Sequence, residues 1–398
     1  MDGRERFPDV TEADWRDWRW QLRHALRGEA ELAGLVALTP AERRGLALGG
    51  LRTGITPYYA ALMDPVHPDC PVRRQAIPLE AEGAGAPGDL DDPTGEEPHR
   101  PVQAVVRKYP DRVLFLVTDT CPVYCRHCTR RRITGGQAGA FDRVAVEAGL
   151  DYVRAHPEVR DVIVSGGDPL VLSDDRLLPV LQALRAIPHV RLLRLATRAP
   201  VVLPMRVDDA LAAALRRLAP LFVVTHVNHA QELTPEARVA CERLVDHGVP
   251  VENQAVLLRG LNSSARALSD LFETLLTWRV RPYYLHQGDL AAGTGHLRTP
   301  LEAGVALLRQ LRGRVSGLAI PHLAVDLPDG SGKITLAPDY GGAGGFQRGP
   351  GGTWLLNHHG QRVLYPDPPS SNCDCPYDAV YYGPGATPAR HGEEHGTR

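Results

Sequence analysis

From residue 111 onward, apolar β-branched runs alternate with amphipathic stretches. The runs are VLFLVTD (113–119), VRDVIVSGG (159–167), VRLLRLATR (190–198), LFVVTHV (221–227), VPVENQAVLL (249–258) and RPYYLHQ (281–287). Each is short, largely apolar and bounded by turn residues, the pattern of a strand buried on both faces. Helical periodicity fills most of the gaps, as in RVAVEAGLDYVRAH (143–156), DDRLLPVLQALRAI (174–187) and LSDLFETLLTW (268–278). Six successive βα units predict a parallel sheet, either a full or partial barrel or an open doubly wound sheet. In both, reactive side chains collect beyond the carboxyl ends of the strands.

The flanks read differently. Residues 11–50 have a helical pattern: Thr11 can cap, and Trp15, Trp18, Leu22 and Leu26 follow at helical spacing. Residues 81–100, AEGAGAPGDLDDPTGEEPHR, are acidic and rich in Gly and Pro, and read as a linker or long surface loop. From about residue 345 the chain is Gly/Pro-rich, with one strand-like hairpin, GTWLLNHHGQRVLYP (352–366), then SSNCDCPYD and a last fifteen residues of disordered composition.

Composition narrows the classes. The 398 residues are 43% hydrophobic and 23% charged, an ordinary globular balance for one large domain with appendages or for two. The longest apolar runs fall far short of a membrane span, and the first residues hold no apolar signal core, so a cytoplasmic location is expected. A net charge of −2 argues for neither nucleic acid nor a membrane surface as partner. Seven unevenly spaced cysteines suit a reduced compartment and a metal or redox site better than a disulfide framework. Of the 45 lysines and arginines only two, Lys108 and Lys333, are lysines. In that background a lysine marks a position that arginine cannot serve, such as Schiff-base formation.

Three cysteines, Cys121, Cys125 and Cys128, fall within eight residues of CPVYCRHCTRRR, just after the first predicted strand. A closed zinc site takes four ligands, and His127, wedged between two of the cysteines, is an awkward fourth. A [4Fe–4S] cluster also takes four; with three, one iron stays open to another ligand. SGGD (165–168) follows the second strand. Its glycines allow a close backbone approach to a ligand, and Asp168 can pair with an ammonium. Lys333 lies in DGSGKI, just after two glycines and without P-loop spacing.

CxxxCxxC after the first strand of a βα barrel resembles the radical S-adenosylmethionine (SAM) superfamily. The longer YPDRVLFLVTDTCPVYCRHCTRRR (109–132) resembles the lysine 2,3-aminomutase family within it. The likeness continues through ITPYYAALMDP (55–65), VRRQAIP (72–78), SGGDPL (165–170), NQAVLLRG (253–260), RPYYLHQGDL (281–290) and VDLPDGSGK (325–333), about residues 10–375 in all. It implies a partial parallel (β/α)6 radical-SAM barrel (101–328). Before it comes an N-terminal helical region and linker (1–100), and after it a C-terminal pyridoxal phosphate (PLP)-binding and oligomerisation segment (329–383) and a disordered tail (384–398).

The resemblance also implies roles. Cys121, Cys125 and Cys128 hold the cluster; Ser165, Gly166, Gly167, Asp168 and Gln254 border SAM. Lys333 is the catalytic lysine that carries PLP, while Lys108, Tyr109 and Arg112 contact the phosphate and ring. Arg130 grips the substrate α-carboxylate, and Asp289 and Asp326 bind a distant ammonium. Arg131 and Arg132 read as a solvated run. Paired carboxylates need a cation between them, so the expected reaction is an isomerisation of L-lysine to β-lysine, with L-arginine as the competing substrate. Gly288, smaller than the cysteine common beside this aspartate, hints at room for arginine. The family's intersubunit zinc uses one cysteine before the sixth strand and three in the tail. Here Ser264 and only Cys373 and Cys375 stand at those places, so zinc is expected to be absent or rebuilt, with a dimer or tetramer as the assembly. Cys70 and Cys241 read as ordinary cysteines. A flavodoxin- or ferredoxin-type electron donor is implied. A relative that modifies an elongation-factor lysine, a plain iron–sulfur carrier and a plain PLP enzyme each leave part of this set unexplained.

Overall fold

The computed structural model describes residues 3–134, 141–340, 347–350, 352–357 and 359–366. Cys373, Cys375 and the last fifteen residues lie outside them. The chain divides into two compact units, residues 1–338 and 339–398.

The first unit opens with short helices: α1 (Glu12–Arg16), α2 (Trp18–Arg23), α3 (Glu29–Ala33), α4 (Pro40–Ala47), α5 (Pro57–Ala61) and α6 (Pro71–Ala76). Thr11 caps α1 as expected, its hydroxyl accepting the Asp14 N–H at 3.1 Å. The single helix suggested by the tryptophan spacing is broken at Asp17, whose side chain caps α2 instead. The segment 81–100 is not a free connection. Thr94 and Glu96 are buried, and Leu90 bridges to Ala291.

The alternating region follows: β1 (Val105–Tyr109), β2 (Arg112–Leu116), α7 (Arg143–Ala155), β3 (Asp161–Ser165), α8 (Asp174–Arg185), β4 (Leu192–Ala196), α9 (Ala199–Val202), α10 (Asp209–Arg216), β5 (Leu221–Thr225), α11 (Pro235–Asp246), β6 (Val251–Leu257), α12 (Ala265–Thr277), β7 (Arg281–Gln287), α13 (Leu301–Leu311), β8 (His322–Asp326) and β9 (Lys333–Leu336). Among the described residues these strands form a nine-stranded sheet in chain order. The six predicted strands are β2 to β7, and β2 to β8 are mutually parallel. Three short strands were not anticipated: β1 runs antiparallel to β2, β8 extends the parallel run beyond β7, and β9 runs antiparallel to β8.

The helices cover the sheet's outer face for the reason their periodicity gave. In α12, Leu268, Leu271, Phe272 and Leu275 form one apolar stripe, all at 0% exposure. Ser264, at the position of the family's first zinc cysteine, caps this helix, its hydroxyl accepting the Ala267 N–H at 3.2 Å. Cys70 and Cys241 are both buried. The sheet curls so far that its edge strands approach: the Tyr109 hydroxyl on β1 accepts the Lys333 N–H on β9 at 2.8 Å. The edges do not pair as strands, so the barrel is partial.

The second unit holds a three-stranded antiparallel sheet of β10 (Gln347–Gly349), β11 (Gly352–Leu356) and β12 (Arg362–Tyr365). The predicted hairpin is β11–β12. No helix among the described residues is long and apolar enough to cross a membrane.

Candidate active site

Curling the sheet encloses a cavity of about 580 Å³ that touches residues of all nine strands. That volume suits small-molecule ligands. Every site residue singled out from the sequence lines it.

Cys121, Cys125 and Cys128 lie in the loop after β2, all unpaired. Removal from water pushes the Cys121 thiol well up, and Cys128, Asp168 and Cys125 add to the shift. Burial likewise raises Cys128, with Cys125 contributing. Two buried thiols raised by burial and by their cysteine neighbours suit a cationic centre. Among the described residues no group of three or more His, Cys, Asp or Glu converges on a single metal ion. The loop is held by Arg126, which donates to both carboxylate oxygens of Glu82 at 2.8 and 2.6 Å.

The glycines after β3 do make a close approach, but to the chain itself. A Cβ on Gly166, whose φ is +134°, would meet the Thr118 carbonyl at 2.2 Å, and one on Gly167 the Thr120 carbonyl at 2.3 Å. The Gly167 and Asp168 N–H groups donate to those same carbonyls at 2.6 and 2.8 Å. The glycines therefore lock the β3 loop onto the cysteine loop. Asp168 is similarly engaged. Its carboxylate accepts from Leu170 N at 3.0 Å, Thr197 Oγ1 at 2.6 Å and Arg198 N at 2.7 Å. Burial still pushes its carboxyl upward against these donors.

Behind the cysteines lies a polar network invisible in the sequence. Arg198 donates to Cys125 Sγ at 2.7 Å, to Gln75 at 2.6 Å and to Glu232 at 2.5 Å. His127 and His226 face each other, Nε2 to Nε2, at 2.9 Å. Burial pushes His127 well down, and burial together with Arg198 pushes His226 down to about 3. Both rings are neutral, and one must donate to the other. His226 Nδ1 meets the Gln254 carbonyl at 2.7 Å, which ties β5 to β6.

The opposite wall belongs to Lys333, Asp326 and His286. Lys333 and Asp326 are partners in the β8–β9 register. The Lys333 amine donates to Asp326, and lies 3.2 Å from His286 Nδ1. Burial would raise the Asp326 carboxyl, but the His286 hydrogen bond and the Lys333 charge hold it far below the usual range. Asp289 goes the other way: burial and the charge of Asp326 push it up. Lys108 is held down by burial, and the Arg112 guanidinium lies 4.6 Å from the Tyr109 ring. Lys333 beside an aromatic hydroxyl and two cations fits PLP, as the three thiols fit an iron–sulfur cluster.

The arginine run is not solvated. Arg130 Nε donates to Glu96 at 2.8 Å, Arg131 to Glu82 at 2.7 Å, and Arg132 pairs with Asp92 at 3.2 Å and with Glu97. The acidic 81–100 segment is its counterpart. Sequence reading treated the two stretches separately; their opposite charge bias was the available signal. Gly288 does not line the cavity, and a Cβ there would make ordinary 3.8 Å contacts with Arg298 and Leu257. Its small size adds no room for a larger substrate.

A family model described as "Lysine-2,3-aminomutase" matches residues 308–385. L-lysine 2,3-aminomutase of Clostridium subterminale is 43% identical over 93% of this chain and 89% of its own. The Bacillus subtilis (strain 168) protein of that name is 42% identical over 95% of this chain and 80% of its own. Glutamate 2,3-aminomutase of Clostridioides difficile (strain 630) is 40% identical over 83% of this chain and 78% of its own. With that identity over nearly the full length of both chains, around a cavity walled by three cysteines on one side and a lysine on the other, the chain belongs to the lysine 2,3-aminomutase family of radical SAM isomerases.

Proposed function

We propose that the protein moves the α-amino group of L-lysine to its β-carbon, using a [4Fe–4S] cluster, SAM and PLP. The observation that carries the substrate is the pair Asp289 and Asp326 on the cavity wall beside Lys333. Relatives named for lysine and for glutamate are nearly equally similar, so overall identity does not choose between them. Charge does. Two carboxylates, one raised by the other, call for a cationic side chain and repel an acidic one. L-Arginine is the second reading, without support from Gly288.

When bound, the cluster with SAM supplies a hydrogen-abstracting radical, and PLP supplies the conjugated system across which nitrogen moves. Cys121, Cys125 and Cys128 would hold the cluster, and Ser165, Gly166, Gly167 and Gln254 would border SAM. Asp168 serves that border by tying the β3 and β4 loops together. Lys333 would carry PLP, with Lys108, Tyr109 and Arg112 around its phosphate and ring. Arg130 would take the α-carboxylate through its planar fork. Asp326 and His286 lie within hydrogen-bond reach of Lys333 Nζ and would orient it, and a substrate ammonium would take over Asp326. A flavodoxin- or ferredoxin-type donor, a homo-oligomer and a cytoplasmic location complete the reading.

The test is an anaerobic assay of protein reconstituted with iron, sulfide and PLP, given SAM and dithionite. L-Lysine, L-arginine and L-glutamate are offered separately, and products are resolved by chiral derivatisation and mass spectrometry. β-Lysine is expected as the main product. β-Glutamate, or no product while both cofactor absorption bands are present, overturns the assignment of the aspartate pair.

A further inference from the structure

We propose that Glu96 is the positioning residue for Arg130, and so a determinant of α-carboxylate recognition; this rests on the reading of Arg130 given above. Glu96 comes from the acidic segment that the sequence presented as a linker, yet it is 3% exposed and lines the cavity. Its Oε1 accepts from Arg130 Nε at 2.8 Å. Its Oε2 is buried without a hydrogen bond, with only the Arg132 guanidinium at 3.8 Å as a longer ion-pair partner. A buried carboxylate oxygen that makes no hydrogen bond is costly, and such a cost is retained where a site needs the group.

The contact is one-sided in a useful way. Glu96 binds the guanidinium only at Nε, and Nη1 and Nη2 of Arg130, which also lines the cavity, donate to no described residue. A guanidinium anchored at Nε has its swing about the side chain removed, while its outer nitrogens stay free for a planar carboxylate. Arg131 and Arg132 are held by Glu82, Asp92 and Glu97, so the acidic segment fixes the backbone from which Arg130 projects. Glu96 does not touch the substrate in this account; it acts through Arg130.

The competing account makes Glu96 a rival that the substrate carboxylate must displace. The two differ in sign. The experiment titrates L-lysine, and separately L-lysinamide, into the PLP-loaded full chain without SAM or reductant, following the PLP absorption band. Glu96→Ala is expected to raise the half-saturating L-lysine concentration about tenfold, the order of one charge-assisted hydrogen bond. L-Lysinamide, which lacks the carboxylate, should bind the variant as it binds the parent. Glu96→Gln keeps an acceptor for Nε and should recover most of the loss. Tighter lysine binding in Glu96→Ala, or an equal loss for both ligands, overturns the proposal. If Glu96→Ala does not fold, Glu96→Asp takes its place, with a smaller loss confined to L-lysine. A parent protein that binds PLP but gives no lysine-dependent change sinks the functional reading itself, which is a separate failure.

Discussion

Asp289 and Asp326 face one cavity, but their carboxyls are shifted in opposite directions. The Asp289 carboxyl is raised, so the folded chain binds its proton more tightly than the unfolded chain does. Its charge is a cost to the fold above the raised value, relieved as pH falls through it. Asp289→Asn should therefore raise the melting temperature of the ligand-free protein at neutral pH, and the gain should fade on acidification. The Asp326 carboxyl is lowered, so its ionised form contributes stability above the ordinary carboxylate range that is lost as pH falls toward the lowered value. Asp326→Asn should cost about 1–3 kcal/mol near pH 7, the worth of hydrogen bonds to a charged group, and less in acid. Melting curves of both variants at several pH values check the opposite signs. In the lysine assay both variants should lose activity, so stability and function part company at Asp289.

At the scale of elements, the cysteine loop is placed by its neighbours. Gly166→Ala would set a methyl group against the Thr118 carbonyl at a φ of +134°. The β3 loop would then be forced off the cysteine loop at a cost of about 1–3 kcal/mol. Iron bound per chain after reconstitution should fall by more than half, whereas Gly317→Ala, with nothing within 4 Å, should load normally. Glu82 is the second support. It holds Arg126 and Arg131, and the Glu82 and Arg126 side chains are only 5% and 2% exposed. Glu82→Ala leaves a buried guanidinium uncompensated and should cost about 3–5 kcal/mol in denaturant unfolding. Arg16→Ala, which removes the exposed pair with Glu12, should cost less than about 1 kcal/mol.

On the scale of the whole molecule, the two cofactor regions are built from different elements around one cavity. The thiols come from the β2–α7 connection, while Lys333 starts β9 on the far edge of the sheet. Among the described residues, the hydrogen-bond partners of the thiols and those of Lys333 are different residues. Removing iron with a chelator under reducing conditions should therefore leave the PLP absorption band in place. Loss of both bands together would mean that the walls of the cavity depend on the cluster.

The sequence by itself determined the six parallel strands, the amphipathic helices that cover them and a set of polar residues that line the cavity. Those are local facts: an apolar run has a period, and CxxxCxxC or a lysine in an arginine-rich chain is legible in place. It did not reveal β1, β8 and β9, whose runs VVRKY, HLAVD and KITL become strands by pairing with a neighbour. Tertiary structure alone decided that the sheet curls until Tyr109 meets the backbone of Lys333, 224 positions away. It decided that the SGG glycines pack on Thr118 and Thr120, and that Asp168 spends its oxygens on the protein's own donors. It also matched the acidic 81–100 segment to Arg130, Arg131 and Arg132. Charge along a chain gives the sign of an interaction. Only the folded sheet brings the opposite signs within hydrogen-bond reach and removes the water that would screen them.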